Sequence, residues 1–407
     1  WEDTGPDSLV LGDEGYIEAD EGEGNGRWDE GEAFTDANNN GKWDEFREPE
    51  EFSAYVQNTF EVPWMVINYG IRIDMVNYNT QIWGVPPPLQ DSLGVYSPGH
   101  PYFYSDLNNN NQWDENEEYA DIAGIPRQKV FLEQSGWFYK ISPRLGFSHV
   151  ITDKSTFTFN YGLYYQTPVY QNIYLNTNRL ENPEELFEEG EGQVGNATMG
   201  AERTQDYSVA FNVQVGESWA YSLGAWVRDM DQMTRYTHER SGVYSYQIST
   251  NGDYGSAKGI DVTLEWRRRF FGSQLQYTYS IAKANSEYAW ASISGQYVDA
   301  PSQENITYFD RPHDLTYYAY TFLPFGIQAG VTAFYQSGYP YTPIIFRGRD
   351  PVSDERNRNS KRGPGYKNVN LSLSKYFEAI GHRFALGLNV FNIFDIRNPI
   401  DIYAMTG

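Results

Sequence analysis

The sequence predicts an all-β chain, in which about twelve antiparallel strands form part of a transmembrane β-barrel with long loops at one end. Three observations carry this expectation. Apolar and polar residues alternate with period two in segment after segment. In the stretch 155–166, for example, Phe157, Phe159, Tyr161 and Leu163 share one parity while Thr158, Asn160 and Gly162 share the other. The connections alternate between tight turns and long, mostly acidic stretches. Finally, the chain has a mean hydropathy of −0.63 and no run of about 18 apolar residues, which excludes helical spans. It does not exclude a barrel, whose polar inward positions dilute an apolar outer band.

Composition fits the same picture. The 34 tyrosines and 11 tryptophans suit aromatic girdles at a membrane interface. The absence of cysteine removes disulfides and thiolate metal sites. A net charge of −25 speaks against a nucleic-acid partner. No signal peptide precedes Trp1, so the chain is expected to be part of a mature, longer protein.

Residues 1–50 form an acidic segment with seventeen Asp and Glu against Arg27, Lys42 and Arg47. Such a segment buries no core of its own and is expected to need cations to become ordered. Barrel strands are expected over 51–403. A first hairpin runs through 53–60, turns at Val62-Pro63-Trp64 and returns over 66–78. An insertion at 79–138 follows. The second hairpin turns at Thr152-Asp153-Lys154, and a loop extends over 169–200. The third hairpin pairs 208–215 with 221–228 across Gly216-Glu217-Ser218, and the fourth pairs 259–266 with 274–281. There Leu275, Tyr277, Tyr279 and Ile281 alternate with Gln274, Gln276, Thr278 and Ser280 without exception. The fifth joins 314–322 to 327–336 and the sixth joins 368–376 to 383–394. Residues 404–407 begin another loop.

The alternation of connection lengths sets an orientation, because bacterial outer-membrane barrels have short periplasmic turns and long extracellular loops. The turns near 63, 153, 217, 270, 324 and 380 are then periplasmic. The segments 79–138, 169–200, 229–255, 282–310 and 337–365 are extracellular loops, and outer-membrane lipid surrounds the wall. Both chain ends fall outside the cell in this reading, so strands are expected to precede and follow the chain.

The acidic loops carry the sharpest chemical pattern. A calcium loop of the EF-hand type presents oxygen ligands at positions 1, 3, 5, 7 (a carbonyl), 9 and 12 around a turn-permissive position 6. With Gly26 at position 6, the ligands are Glu21, Glu23, Asn25, Arg27 (carbonyl), Asp29 and Glu32, and Asp20 is a substitute for Glu21. With Gly41 there, they are Asp36, Asn38, Asn40, Lys42 (carbonyl) and Asp44. Arg47 occupies position 12 in this copy, so Glu48 or Glu45 supplies the last carboxylate. With Asn111 there, they are Asp106, Asn108, Asn110, Gln112 (carbonyl), Asp114 and Glu117. Trp28, Trp43 and Trp113 stand at position 8 of the three copies. A merely solvated acidic loop has no reason to hold Asn and Trp at fixed offsets, so a structural calcium ion is expected in each.

No catalytic constellation is present. His100, His149, His238, His313 and His382 are scattered, and no Gly-rich phosphate loop precedes a helix. Other features have bland readings beside sharper ones. Arg267-Arg268-Arg269 is a rim charge cluster or a headgroup contact. The arginines at 347, 349, 356 and 358 face acidic neighbours or an anionic substrate. The tip Gly338-Tyr339-Pro340-Tyr341 is an interfacial belt or a stacking platform.

Four stretches together resemble the second half of a TonB-dependent outer-membrane receptor: SPRLGFSHVITDKSTFTFNYGLYYQTP, GAERTQDYSVAFNVQV, NGDYGSAKGIDVTLEWRRR and FALGLNVFNIFDIRNPIDIY. The subgroup with an N-terminal carboxypeptidase-regulatory-like domain is the most similar, over roughly residues 51–403. The resemblance implies a 22-stranded barrel closed by a plug, of which this chain holds about twelve strands, corresponding to strands 10–21. Plug, TonB box, early strands and last strand are absent from this sequence. It further implies import of a scarce or bulky ligand, energised by a periplasmic protein of the TonB type acting through the plug. Two alternatives stay open. The first is a surface-anchored interaction protein whose calcium-stiffened loops dock an extracellular protein partner. The second, a soluble calcium-binding lectin sandwich, would expose too much apolar surface.

Overall fold

The computed structural model describes residues 48–90, 99–189, 192–285 and 304–398. The acidic segment, with the first two calcium patterns apart from Glu48, lies outside them, as do residues 404–407. Among the described residues a 14-stranded sheet contains an unbroken antiparallel path of twelve. We label these β1 (Glu50–Val62), β2 (Met65–Asn77), β3 (Phe138–Thr152), β4 (Ser155–Gln166), β5 (Glu202–Val215), β6 (Trp219–Ser241), β7 (Tyr244–Arg268), β8 (Phe271–Ala284), β9 (His313–Leu323), β10 (Ile327–Gln336), β11 (Tyr366–Ala379) and β12 (His382–Val390). Each pairs with the next in sequence. Two short strands off the path, Gln193–Val194 and Asn305–Ile306, pair with β7 and β8.

Register makes the sheet two-faced. Residues directly opposed across a ladder lie on one face. One row runs Phe60, Ile67, Phe147, Phe159, Val209, Ala225, Ile260, Tyr279 and His313. The row beside it, on the other face, runs Thr59, Asn68, Gly146, Asn160, Ser208, Trp226, Gly259 and Ser280. The first face keeps large apolar side chains exposed, among them Ile71, Leu223, Ile260, Leu264 and Tyr279. The second carries an ion pair and charged hydrogen bonds between neighbouring strands: Arg228 with Asp206 at 2.5 Å, Thr278 donating to Asp261 at 2.6 Å, and Gln336 donating to Asp314 at 2.7 Å. A one-residue slip would exchange these faces everywhere, so the alternation holds the register.

Aromatic rings on the polar face lie over glycines, which removes bulk from the wall. A Cβ at Gly259 would come within 2.6 Å of the Trp226 ring, and one at Gly272 within 2.5 Å of Tyr320.

The tight turns after β1, β3, β5, β7, β9 and β11 all lie at one end of the sheet. The longer connections after β2, β4, β8 and β10 lie at the other. One expected loop takes a different form. The stretch 229–255 continues β6 and β7 as a paired hairpin that turns at Gly242 (φ +59°). A bulge between Met230 and Thr234, with Gln232 at φ +57°, shifts the register there. The shift breaks period two in the sequence although strand pairing continues. The last strand also stops at Val390, short of the expected 394.

Candidate functional site

Chemistry gathers at the long-loop end, where three segments share a core. Ile82 and Trp83 of the 79–138 insertion pack with Leu180, Leu186 and Val194 of the 169–200 segment and with Tyr246 and Ile248 of the β6–β7 extension. Phe187 stacks on Tyr246 with centroids 4.6 Å apart, and Trp83 meets Tyr246 edge-on at 5.5 Å. The buried polar tips are satisfied: Trp83 Nε1 donates to the Leu180 carbonyl at 2.8 Å and the Tyr246 hydroxyl to that of Gly99 at 2.7 Å. Burial raises the Tyr246 phenol above its ordinary range, so the hydroxyl stays protonated at any physiological pH. These connections are therefore a folded cap with its own interior.

On this cap sits the third acidic turn. Asp106 and Glu117 are buried at its base, 2 % and 7 % exposed. The Asp106 carboxylate accepts the backbone N–H groups of Asn110 and Asn111, each at 3.0 Å. Asn108 Oδ1 accepts the Asn110 N–H at 3.0 Å and Asn110 Oδ1 that of Gln112 at 2.8 Å. Glu117 closes the ring by accepting the N–H groups of Leu107 at 2.8 Å and Asp114 at 3.1 Å. The amides of Asn108 and Asn110 both donate to Asp114 Oδ2, at 2.7 and 3.1 Å. Asn109 and Asn111 take left-handed conformations, φ +59° and +56°, which Asn tolerates better than other L-residues with a Cβ. Trp113 donates to the Glu117 carbonyl at 3.1 Å and packs on Phe131 and Tyr119. Burial, then the carboxylates of Asp106, Glu117 and Glu181, hold the neighbouring Tyr104 phenol above its usual pKa.

Five of the predicted ligand side chains, Asp106, Asn108, Asn110, Asp114 and Glu117, are thus gathered into one ring, with Gln112 exposed beside it. Among the described residues no three His, Cys, Asp or Glu side chains form a metal-holding group; the oxygens gathered in this turn are a mixture of carboxylate and amide. Hard-cation chemistry accepts such a mixed oxygen set, and an Asn oxygen that takes one N–H keeps a second lone pair. Of the residues predicted in the other two patterns, Glu48 alone is described, and it is exposed near the start of β1.

Sequence reasoning missed the groove beside this turn, about 990 Å³ in volume and walled by Asn111, Gln112, Trp113, Tyr104, Phe131 and Glu181 among others. Its walls come from segments about 70 residues apart, so no local spacing announces it. A second tie was also illegible. Arg362 forms an ion pair with Asp310, whose side chain is 1 % exposed, and its Nη1 donates to the Asp310 carbonyl at 2.8 Å. This joins the last long segment to the one before it. At the Tyr-rich tip, Arg311 lies over the Tyr339 ring with 3.8 Å to the centroid. The arginine stretch 344–353 is an exposed hairpin, Ile344–Arg347 with Asp350–Ser353.

A two-faced antiparallel wall with turns at one end and a folded cap at the other defines an outer-membrane barrel portion. The chain belongs to the TonB dependent receptor-like, beta-barrel family, whose model matches residues 7–393. No curated protein sequence matches it. Among solved structures it is similar to the outer membrane transporter YddB from Escherichia coli (TM-score 0.52, 10 % identity), covering 86 % of this chain and 50 % of that one. It is also similar to the siderophore receptor PiuA from Acinetobacter baumannii (TM-score 0.52, 12 % identity, 86 % and 39 %). The FrpB iron transporter from Neisseria meningitidis is a third (TM-score 0.51, 11 % identity, 86 % and 41 %). The chain thus spans half or less of these proteins, and at such identities the likeness is one of fold.

Proposed function

We propose that the chain is part of the wall and outer face of an active importer, with the tight turns periplasmic and the folded cap extracellular. The observation that carries this is the placement of six tight turns at one end of a sheet with one apolar and one polar face, while the long connections and the extended β6–β7 hairpin lie at the other. The imported ligand is one too scarce or bulky for diffusion through an open pore. Energy comes from a periplasmic partner of the TonB type, acting through a plug. The related folds of PiuA and FrpB, named as siderophore receptor and iron transporter, support transport over simple anchoring.

The cap is held by calcium. Asp106, Asn108, Asn110, Asp114, Glu117 and the Gln112 carbonyl are the ligands of one ion. The patterns at 21–32 and 36–48 repeat its spacing and hold the others. Calcium outside cells is abundant, so sites with Kd of roughly 10⁻⁴–10⁻³ M suffice and the role is structural. The ion replaces hydrogen-bond donors as the partner of crowded carboxylates that otherwise repel one another. Because Asn111, Gln112 and Trp113 also wall the groove, occupancy of the turn fixes one side of it.

Topology on intact cells tests the proposal. An epitope inserted at Asp114 is expected to be reached by antibody from outside and one at Asp153 only after the outer membrane is permeabilised. Surface exposure of the Asp153 tag with the Asp114 tag hidden inverts the topology and removes the importer reading of the cap. Anchoring is separated from transport by uptake: an anchor leaves ligand accumulation unchanged when the gene is deleted.

A further inference from the structure

At the short-turn edge of the apolar face, Trp219 of β6 and Trp266 of β7 stack with centroids 5.3 Å apart and planes within 10°. Phe271 of β8 packs on Trp266 at 4.8 Å. Alternate residues of a strand share a face, so Arg268 follows Trp266 on the apolar side, about 7 Å nearer the rim. Arg267 lies on the opposite side, where it pairs with Glu265 at 3.2 Å. Arg269 begins the turn, with its guanidinium 5.0 Å from the Phe270 ring centroid. Among the described residues neither Arg268 nor Arg269 makes an ion pair, although Glu217 stands in the adjoining turn. Both are exposed.

In a chain of net charge −25, two uncompensated guanidiniums beside a stacked indole pair are a pronounced local inversion. The layering matches the depth profile of a bilayer edge. Indole rings settle at the level of glycerol and carbonyl groups, and guanidiniums reach the phosphates outside them. The planar Arg fork pairs with phosphate oxygens through two hydrogen bonds. We propose that Trp219, Trp266, Arg268 and Arg269 form a binding site for an anionic phospholipid of the leaflet that borders the short turns. The lipid's chains lie against the face continued by Leu264 and Tyr221, and its phosphate sits on the two guanidiniums. A zwitterionic headgroup brings its own ammonium into this pair of cations, where among the described residues no carboxylate of β6, β7 or β8 lies beside them on the apolar face. The inference needs only the outer-membrane setting of the family, and stands whichever ligand the protein imports.

Native mass spectrometry of the purified full-length protein, titrated with phosphatidylglycerol and phosphatidylcholine of matched chains, tests it. Wild type is expected to retain phosphatidylglycerol preferentially. Each Arg near a membrane surface is worth about fivefold in binding an anionic lipid (~1 kcal/mol), so Arg268→Gln with Arg269→Gln should lower that preference about 25-fold. Arg383→Gln, at another turn where Arg383 pairs with Glu378, should leave it unchanged. Equal retention of the two lipids by wild type overturns the proposal. So does an equal loss in the Arg383 variant, which marks diffuse rim charge. Displacement of the lipid by millimolar inorganic phosphate also overturns it, because that reveals a free-anion site.

Discussion

Asp106 accepts the backbone N–H of Asn111 at 3.0 Å, tying the first residue of the acidic turn to the sixth, which is left-handed at φ +56°. The proposed calcium site therefore rests on a turn held by its own hydrogen bonds, with the proposed binding assigned to its carboxylates. Replacing Asp106 and Asp114 together by Asn keeps the volume and most acceptor oxygens but removes two charges. Calorimetry on the chelated, full-length protein should show the calcium heat of this turn lost in the variant, while strand content by circular dichroism is unchanged. Heat identical to wild type would assign the calcium elsewhere.

Position along the apolar face sets the cost of a charge. Tyr279→Arg should destabilise the protein by about 2–4 kcal/mol if it sits near the bilayer midplane, while Gln276→Arg, on the polar face of the same strand, should cost far less. Urea unfolding from liposomes measures both. Equal costs would mean that the two faces of β8 meet the same medium.

The Arg362–Asp310 pair locks two long segments. Arg362→Met leaves a buried, unpaired carboxylate and is expected to cost about 3–5 kcal/mol locally. Asp310→Asn in the same background removes that charge and keeps an acceptor for the Ala282 N–H, which now bonds Asp310 Oδ1 at 2.7 Å. Protease cleavage within 337–363 should therefore speed up in the single variant and slow again in the double. Equal cleavage in the two variants would show that the buried charge is not what the pair resolves.

Asp253, in the β6–β7 extension, is 1 % exposed; Asn285 Nδ2 donates to its Oδ1 at 3.1 Å, and its Oδ2 is unpartnered. Burial raises its pKa, against the opposing pull of Arg235 and the Asn285 bond. An acid whose folded pKa is raised binds its proton more tightly when folded. The extension should thus gain stability as pH falls from the raised pKa toward the ordinary 3.8, and carry the full cost of the charge above that window. Asp253→Asn is expected to slow hydrogen exchange of the 244–255 amides at pH 7 and to flatten their pH dependence. An unchanged pH profile would refute the buried-charge account.

The wall was legible because its physics is local. Period two, six turn signals and the parity of Leu275, Tyr277, Tyr279 and Ile281 follow from one strand at a time. Legibility failed where a single residue resets the phase, as Gln232 does at the bulge that conceals the β6–β7 extension. It failed again where partners are distant in sequence: Trp83 with Tyr246, Arg362 with Asp310, and the groove wall from Tyr104 to Glu181. The acidic turn at 106–117 lay between these cases. Its ligand spacing is local, while the core that seats it is not.

The central claim is that one face of this sheet meets lipid. Nitroxide labels placed singly at 274–281 of this cysteine-free chain, in reconstituted full-length protein, measure it directly through collision with oxygen and with a water-soluble nickel chelate. The account predicts high oxygen and low nickel access at 275, 277, 279 and 281, and the reverse ratio at 274, 276, 278 and 280. Equal access ratios at both parities would contradict it.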